Sequence, residues 1–221
     1  MSLNKSKGNM YSWVTHTWNP FHGCLHDCKY CYLKVGTGSV PKAEFFEDKI
    51  KTNLGKGRTI FVGSAGDLFG SWVPKSFIME VLAHCRKFDN IYLFQTKNPR
   101  RFSEFLYFMP GKRILGTTIE TNRIGLFMSI SKAPSPTERA LSMKALPGPK
   151  EVTIEPIMNF DLGPMVSLVH IVAPKFVVIG ADSKGHDLPE PSKEKIESLI
   201  RLIKAEGIEV KVKANLSRLM K

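Results

Sequence analysis

Seven short apolar runs, spaced along the chain by turn-rich and amphipathic segments, constrain its fold more than any other feature. They are Ser12–Thr17, Thr59–Gly63, Ile91–Thr96, Ile114–Ile119, Val152–Glu155, Phe176–Ile179 and Ile208–Val212. Compact runs rich in Val, Ile and Phe and bounded by Gly or Pro predict strands of a parallel sheet covered on its outer face. Between them, Lys75–Phe88 places Phe77, Ile78, Val81, Leu82 and Cys85 on one helical stripe behind Pro74. Pro99–Phe108, Pro136–Ala145 and Ser192–Glu206 also read as helices, the last with Ser192 as N-cap and Gly207 just past its end. The β-α alternation contains no internal repeat and no low-complexity linker. It predicts one α/β domain over residues 1–221, with a polar tail over about residues 1–10.

Both an open doubly wound sheet and a partial barrel satisfy this alternation. Asp67, Lys97, Glu120, Glu155 and Asp182 follow successive strands. Barrel enzymes build their sites at that face, whereas an open sheet concentrates polar groups at one switch point. The expected fold class is therefore α/β: a single-domain partial (β/α)6-type barrel of parallel strands with one extra C-terminal strand.

At 221 residues and 43% hydrophobic, the chain can bury a core without metal or disulfides to hold it. Four cysteines, three of them within eight positions, do not make an extracellular disulfide framework. The N-terminus lacks an apolar stretch, and no segment approaches the roughly 18–20 apolar residues of a membrane span. A soluble, cytoplasmic protein without a membrane partner is expected. The net charge of +12 favours polyanionic partners, although scattered Lys and Arg also solvate helix faces.

The chemistry concentrates in "HGCLHDCKYCYLK", where Cys24, Cys28 and Cys31 are interleaved with His22 and His26. A structural zinc site could close locally with His22 or His26 as fourth ligand, but only Cys28/Cys31 has the usual pair spacing. A thioredoxin-like pair does not expect a third cysteine. Three thiolates on a loop after the first strand can ligate three irons of a [4Fe–4S] cluster, leaving one iron open to substrate or cofactor. Cys85, on an apolar helical stripe, reads as a core residue. His22 and His26 read as loop residues in water, with a contact to the cavity or to a sulfide as the alternative.

Cys24-x-x-x-Cys28-x-x-Cys31, with Tyr30 before its last cysteine, resembles the signature of the radical S-adenosylmethionine (SAM) superfamily. "YSWVTHTWNPFHGC", "FVGSAGDLFGSWVP", "LFQTKNPRRF", "LGTTIETN", "VTIEPIM" and "FVVIGADSKG" resemble, in order, the strand-end blocks of one subfamily. It is a phage- and bacteria-associated family of unknown function, distantly similar to spore photoproduct lyases. The resemblance implies a metal-binding iron–sulfur enzyme in which a [4Fe–4S] cluster on Cys24, Cys28 and Cys31 reductively cleaves SAM. The 5′-deoxyadenosyl radical so formed abstracts hydrogen from a substrate. An electron donor such as flavodoxin or ferredoxin is implied as a partner.

By the same resemblance, Gly66 and Asp67, with Ser64 beside them, stand where the superfamily holds the SAM amino group. Lys97 is expected to meet the SAM carboxylate, and Thr118 and Glu120 the ribose hydroxyls. Glu155 is expected near SAM, Gly180 and Ala181 against the adenine, and Tyr30 on its other side. A ligand of this kind needs a cation for its carboxylate, hydrogen-bonding groups for its ribose and flat walls for its base. Nucleic acid or a nucleotide is the first expectation for the substrate. Two other readings predict different outcomes: a zinc-stabilised basic nucleic-acid-binding module, and a non-catalytic iron–sulfur protein.

Overall fold

The computed structural model describes residues 3–34, 38–40 and 42–221; residues 1–2 of the expected tail lie outside the described residues. In chain order the elements are β1 (Leu3–Lys5), β2 (His16–Trp18), β3 (Phe21–His22), β4 (Glu44–Phe45), β5 (Thr59–Val62), α1 (Lys75–Cys85) and β6 (Ile91–Gln95). They continue with β7 (Arg113–Thr118), α2 (Ile124–Met128), α3 (Pro136–Lys144), β8 (Lys150–Ile154), α4 (Leu162–Val172), β9 (Phe176–Ile179), α5 (Lys193–Ala205) and β10 (Glu209–Val212).

Eight strands form one sheet in the order β1-β2-β5-β6-β7-β8-β9-β10, and β3 pairs with β4 apart from it. Within the eight-stranded sheet every pairing from β2 to β10 is parallel and only β1 is antiparallel, on the outer edge of β2; β3 and β4 pair antiparallel. The expected partial barrel of parallel strands is the fold. The tail reading changes, because Leu3–Lys5 add a strand to the sheet.

Strand periodicity divides the core in two, since successive side chains point to opposite faces. Ile60, Val62, Tyr92, Phe94, Leu115, Val152, Ile154, Val177 and Ile179 join the large outer cluster under the helices. The alternate residues Leu93, Phe176 and Val178 form a second, inner cluster with Tyr11 and Val14, against which Met10, Trp13, Phe61 and Ile114 pack. The expected first strand, Ser12–Thr17, thus divides: its end joins His16–Trp18, which pairs with β5, while its start belongs to Tyr11–Val14, which turns and fills the curled sheet's inner side. Aromatic side chains stacked at 5.6 Å (Tyr11 on Trp13) fill that space better than an extended strand could.

The helical expectations over α1, α3 and α5 hold, the last two capped by Ser135 and Ser192. Pro99–Phe108 narrows to a 3-10 turn over Pro99–Glu104, where the Arg101 guanidinium bonds the carbonyls of Gly70 and Val73. Helix α4 has no counterpart in the sequence reading. It is apolar nearly all round, so its hydrophobic period is blurred, and Pro164 in its first turn reads as a breaker. No described helix is long and apolar enough to cross a membrane.

Candidate active site

A cavity of about 510 Å³ opens at the C-terminal ends of the parallel strands. Cys24, Cys28 and Cys31 all line it, as do Tyr30, Ser64, Gly66, Asp67, Lys97, Thr118, Glu155 and Ala181. Of the thirteen residues singled out from the sequence as ligands or contacts, the two that stand behind its wall are Glu120 and Gly180.

The cysteine loop is fastened on two sides. Lys29 N donates to Ile130 O (2.8 Å), Lys132 N donates to His26 O (2.7 Å), and Cys28 Sγ lies 3.1 Å from Ser131 Oγ. From below, His26 Nε2 meets Asp67 Oδ2 at 2.8 Å. His26 is only 4% exposed, so the reading of it as a loop residue in water is corrected: the loop turns it inward, with Trp72 packed edge-on against its ring. His22 lies on β3 with its ring against Phe46. All four cysteines are free thiols, and Cys85 is buried in the outer core. Burial pushes the Cys24 thiol up, with Asp67 adding to the shift, and burial likewise raises Cys31. Thiolates here therefore need a positive partner, and three thiols on one loop are a donor set that suits iron, although among the described residues no three Cys, His, Asp or Glu side chains are gathered round one metal position.

Asp67 spends both carboxylate oxygens inside the protein. Oδ1 accepts from Phe69 N (3.1 Å) and Thr96 Oγ1 (2.6 Å); Oδ2 accepts from His26 and from Lys97 N (2.9 Å). Burial alone would raise its pKa, but these donors, His26 foremost, hold it below the ordinary carboxylate range. Asp67 thus joins the ends of β5 and β6 to the cysteine loop. Asp67→Asn turns an amide toward donors, and a loss of about 1–3 kcal/mol is expected for the lost bonds. Urea denaturation at neutral pH measures it. The gap should narrow in acid, because a depressed carboxylate stabilises above its unfolded pKa and loses that contribution as pH falls through its folded one.

Gly66 stands where a side chain has no room: a Cβ there would lie 2.6 Å from Gly23 O and 2.5 Å from the Phe21 ring. That approach lets the cysteine loop bridge to the end of β5. Ser64 Oγ bonds Asn19 Oδ1 at 3.1 Å, and Tyr32 donates to Ser64 O at 2.5 Å.

The second polar knot is anchored on two fully buried residues, Glu120 and Arg139. Glu120 accepts from Tyr30 (2.5 Å), from Lys97 and from Arg139 Nη1 (3.0 Å). Lys97 Nζ also bonds Thr118 Oγ1 at 2.7 Å and Tyr30 Oη at 3.0 Å. Burial opposes the charge on Glu120, but Arg139 first and Lys97 second hold its carboxyl well below the ordinary range. Arg139 was not singled out from the sequence, although it shares the buried stripe of α3 with Pro136, Ala140 and Met143. A charged residue on such a stripe was the available signal.

Glu155 accepts from Lys213 Nζ (2.6 Å), Asn9 Nδ2 (2.9 Å) and Asn215 Nδ2 (3.0 Å). Gly180 makes room for that carboxylate, since a Cβ there would lie 2.6 Å from Glu155 Oε1. Asp182 is closed by His186 (2.7 Å) and by the amides of Lys184 and His186. Asp27 is held by Lys34 and Lys132. Every acid on the cavity wall therefore has a basic or amide partner, whereas the side chains of Lys7 and Lys184 line the wall with none among the described residues.

Among solved structures, a spore photoproduct lyase mutant with bound AdoMet and dinucleoside spore photoproduct shares the fold at a TM-score of 0.70 and 12% identity. The match covers 94% of this chain and 78% of that one. SuiB of Streptococcus suis bound to S-adenosylmethionine matches at a TM-score of 0.61 and 12% identity, over 89% of this chain and 49% of SuiB. SuiB bound to the precursor peptide SuiA matches at 0.64, also at 12% identity, over 89% and 48%. This chain thus spans about half of SuiB. No curated protein matches by sequence. The model of the family described as protein of unknown function (DUF5131) matches residues 9–213, nearly the whole chain, and the chain belongs to that family.

Proposed function

We propose that this protein is a radical SAM enzyme that works in a reducing, cytoplasmic setting. One observation carries the reading: three free cysteines from a single loop line the same strand-end cavity as Lys97, which a buried glutamate–arginine pair holds from behind, in a fold shared with two proteins solved with SAM bound. Cys24, Cys28 and Cys31 would hold a [4Fe–4S] cluster, which when bound supplies the electron for reductive SAM cleavage.

The chain's own residues prepare the cavity. Asp67 and His26 fix the cysteine loop, and Gly66 leaves its backbone open to the cavity. Glu120 and Arg139, out of reach behind the wall, hold Lys97 just past β6 and Thr118 at the end of β7, where a carboxylate or hydroxyl of SAM would meet them. Tyr30, its phenol tied to Glu120, offers a ring face, and Ala181 offers a small apolar wall. Glu155 is neutralised by Lys213, so it orients polar groups without repelling an anion. The charge of +12 and the unmatched Lys7 and Lys184 favour a nucleotide or nucleic-acid substrate.

Anaerobic reconstitution with iron and sulfide should give a brown protein with about four irons per chain. Adding SAM and dithionite should release 5′-deoxyadenosine, faster when DNA or RNA carrying the substrate is present. A colourless, zinc-loaded chain from anaerobic, iron-replete expression would sink the reading.

A further inference from the structure

The inner face of the barrel carries a polar chain that none of the roles above uses. Tyr11 Oη donates to Gln95 Oε1 at 2.9 Å and lies 2.9 Å from Thr153 Oγ1, which lies 2.9 Å from Glu151 Oε2. Tyr11, Thr153 and Glu151 are buried, Glu151 completely, and its Oε1 has no hydrogen-bond partner among the described residues. Tyr11 and Gln95 reach the wall of the cavity. The amide nitrogen of Gln95 donates to no described residue.

Counting protons fixes the direction of this chain. A carbonyl oxygen only accepts, so the single proton of Tyr11 goes to Gln95. Thr153 then donates its own proton to the Tyr11 oxygen, and Glu151 must be the donor to Thr153. With the Gln95 oxygen toward Tyr11, only a neutral Glu151 satisfies every link; with the amide turned, an ionised Glu151 accepts from Thr153. Burial agrees, pushing its carboxyl up to about 8. Across the ladder it faces Gly116 on β7 and Phe176 on β9, neither of which titrates. The charged and titratable groups nearby are Tyr11 itself, Glu155 further along β8, Lys213 at 5.1 Å from the Tyr11 ring centre and Lys211 at 5.1 Å from that of Phe176. Lys213 is already bonded to Glu155.

We propose that Gln95, oriented by the buried Tyr11–Thr153–Glu151 relay, turns its side-chain NH₂ into the cavity and reads an acceptor atom of a nucleobase. The inference rests on the proposal that this cavity binds SAM and a nucleic-acid substrate; both carry a nucleobase, whose ring nitrogens and carbonyls accept hydrogen bonds. Loss of the Glu151 proton reverses the relay: Thr153 donates to the carboxylate, Tyr11 donates to Thr153, and Gln95 must rotate its NH₂ to Tyr11. The wall then shows an amide oxygen, and the base acceptor meets another acceptor.

The test uses the full, cluster-reconstituted chain under anaerobic conditions. SAM and a short single-stranded DNA are titrated separately by calorimetry at about pH 7 and about pH 9, on either side of the Glu151 titration. For one of the two ligands the wild type should weaken about tenfold at the higher pH, the value of one hydrogen bond lost in a site built for it. The arm in which this occurs identifies whose base Gln95 reads. Gln95→Leu should weaken the same ligand about tenfold at pH 7 and remove its pH dependence. Glu151→Gln should bind tightly at both pH values, because a carboxamide donates to Thr153 throughout. The infrared band of a protonated carboxyl should be present at pH 7, vanish by pH 9 and be missing from Glu151→Gln. Unchanged affinities in Gln95→Leu, or no such band in the wild type, overturn the inference alone. A wild type that binds neither ligand overturns the cavity reading and the inference together.

Discussion

Replacing Cys28 with alanine should give a folded chain that holds almost no iron–sulfur cluster and releases no 5′-deoxyadenosine. The sulfur lies in a fastened stretch: Cys28 is 5% exposed, its neighbours are tied to Ile130 and Lys132, and Ser131 Oγ retains a donor in Ala133 N. The fold therefore survives loss of the thiol at a cost of about 1 kcal/mol, the scale of a small core truncation. The cluster does not survive, because two cysteines leave a second iron without a protein ligand. Cys85→Ala provides the opposite pattern. That thiol is buried beneath α1 in the outer core, so its loss should lower stability by about 1–2 kcal/mol and leave iron content unchanged. Iron and sulfide analysis beside thermal unfolding separates the two variants. Full iron and undiminished SAM cleavage in Cys28→Ala would contradict the assignment of the ligands.

The strands of the barrel and the cysteine loop were legible because each is written in contiguous residues. "TIFV", "FVVI" and the spacing from Cys24 to Cys31 need no distant partner to be recognised. What escaped depends on residues meeting across the fold. In "KEVTIEP", alternation assigns Glu151 and Thr153 to a polar face, which in most sheets is solvent. A curled sheet filled from inside by Tyr11 and Trp13 buries that face as well. Trp13, read as a strand residue, forms a plug with Tyr11 because the inner space needs filling. Gly180, expected against the adenine, makes room for Glu155, a contact that no spacing within the chain encodes. Asp67 and Glu120 were found as strand-end acids, but their saturation by His26, Thr96, Lys97 and Arg139 belongs to the tertiary structure.

Arg139 is where this hidden layer has its largest expected effect on stability. Its Nη1 bonds Thr118 O (2.7 Å), Thr118 Oγ1 (3.0 Å) and Glu120, its Nε bonds Pro134 O (2.7 Å), and its guanidinium lies 4.6 Å from the Phe127 ring centre. Both members of the Arg139–Glu120 pair are fully buried. Arg139→Met fills similar space but leaves a buried carboxylate with Lys97 as its one charged partner. Breaking one side of such a pair costs about 3–5 kcal/mol, because the remaining charge keeps its desolvation penalty. For a chain of this size that lowers the melting temperature by roughly 6–20 °C. Combining Arg139→Met with Glu120→Gln removes the stranded charge while keeping an acceptor for Lys97 and Tyr30, and at least about 1 kcal/mol should return. The pH dependence has a definite sign. The carboxyl of Glu120 is depressed in the folded wild type, so its contribution is complete above the unfolded carboxylate pKa and fades as pH falls through the folded value. The deficit of Arg139→Met should therefore be greatest near neutrality and shrink in acid, whereas the double variant should track the wild type with a flatter acid limb. A deficit that stays constant across that range would mean that Arg139 acts through packing on Phe127 and its backbone bonds rather than through the charge on Glu120.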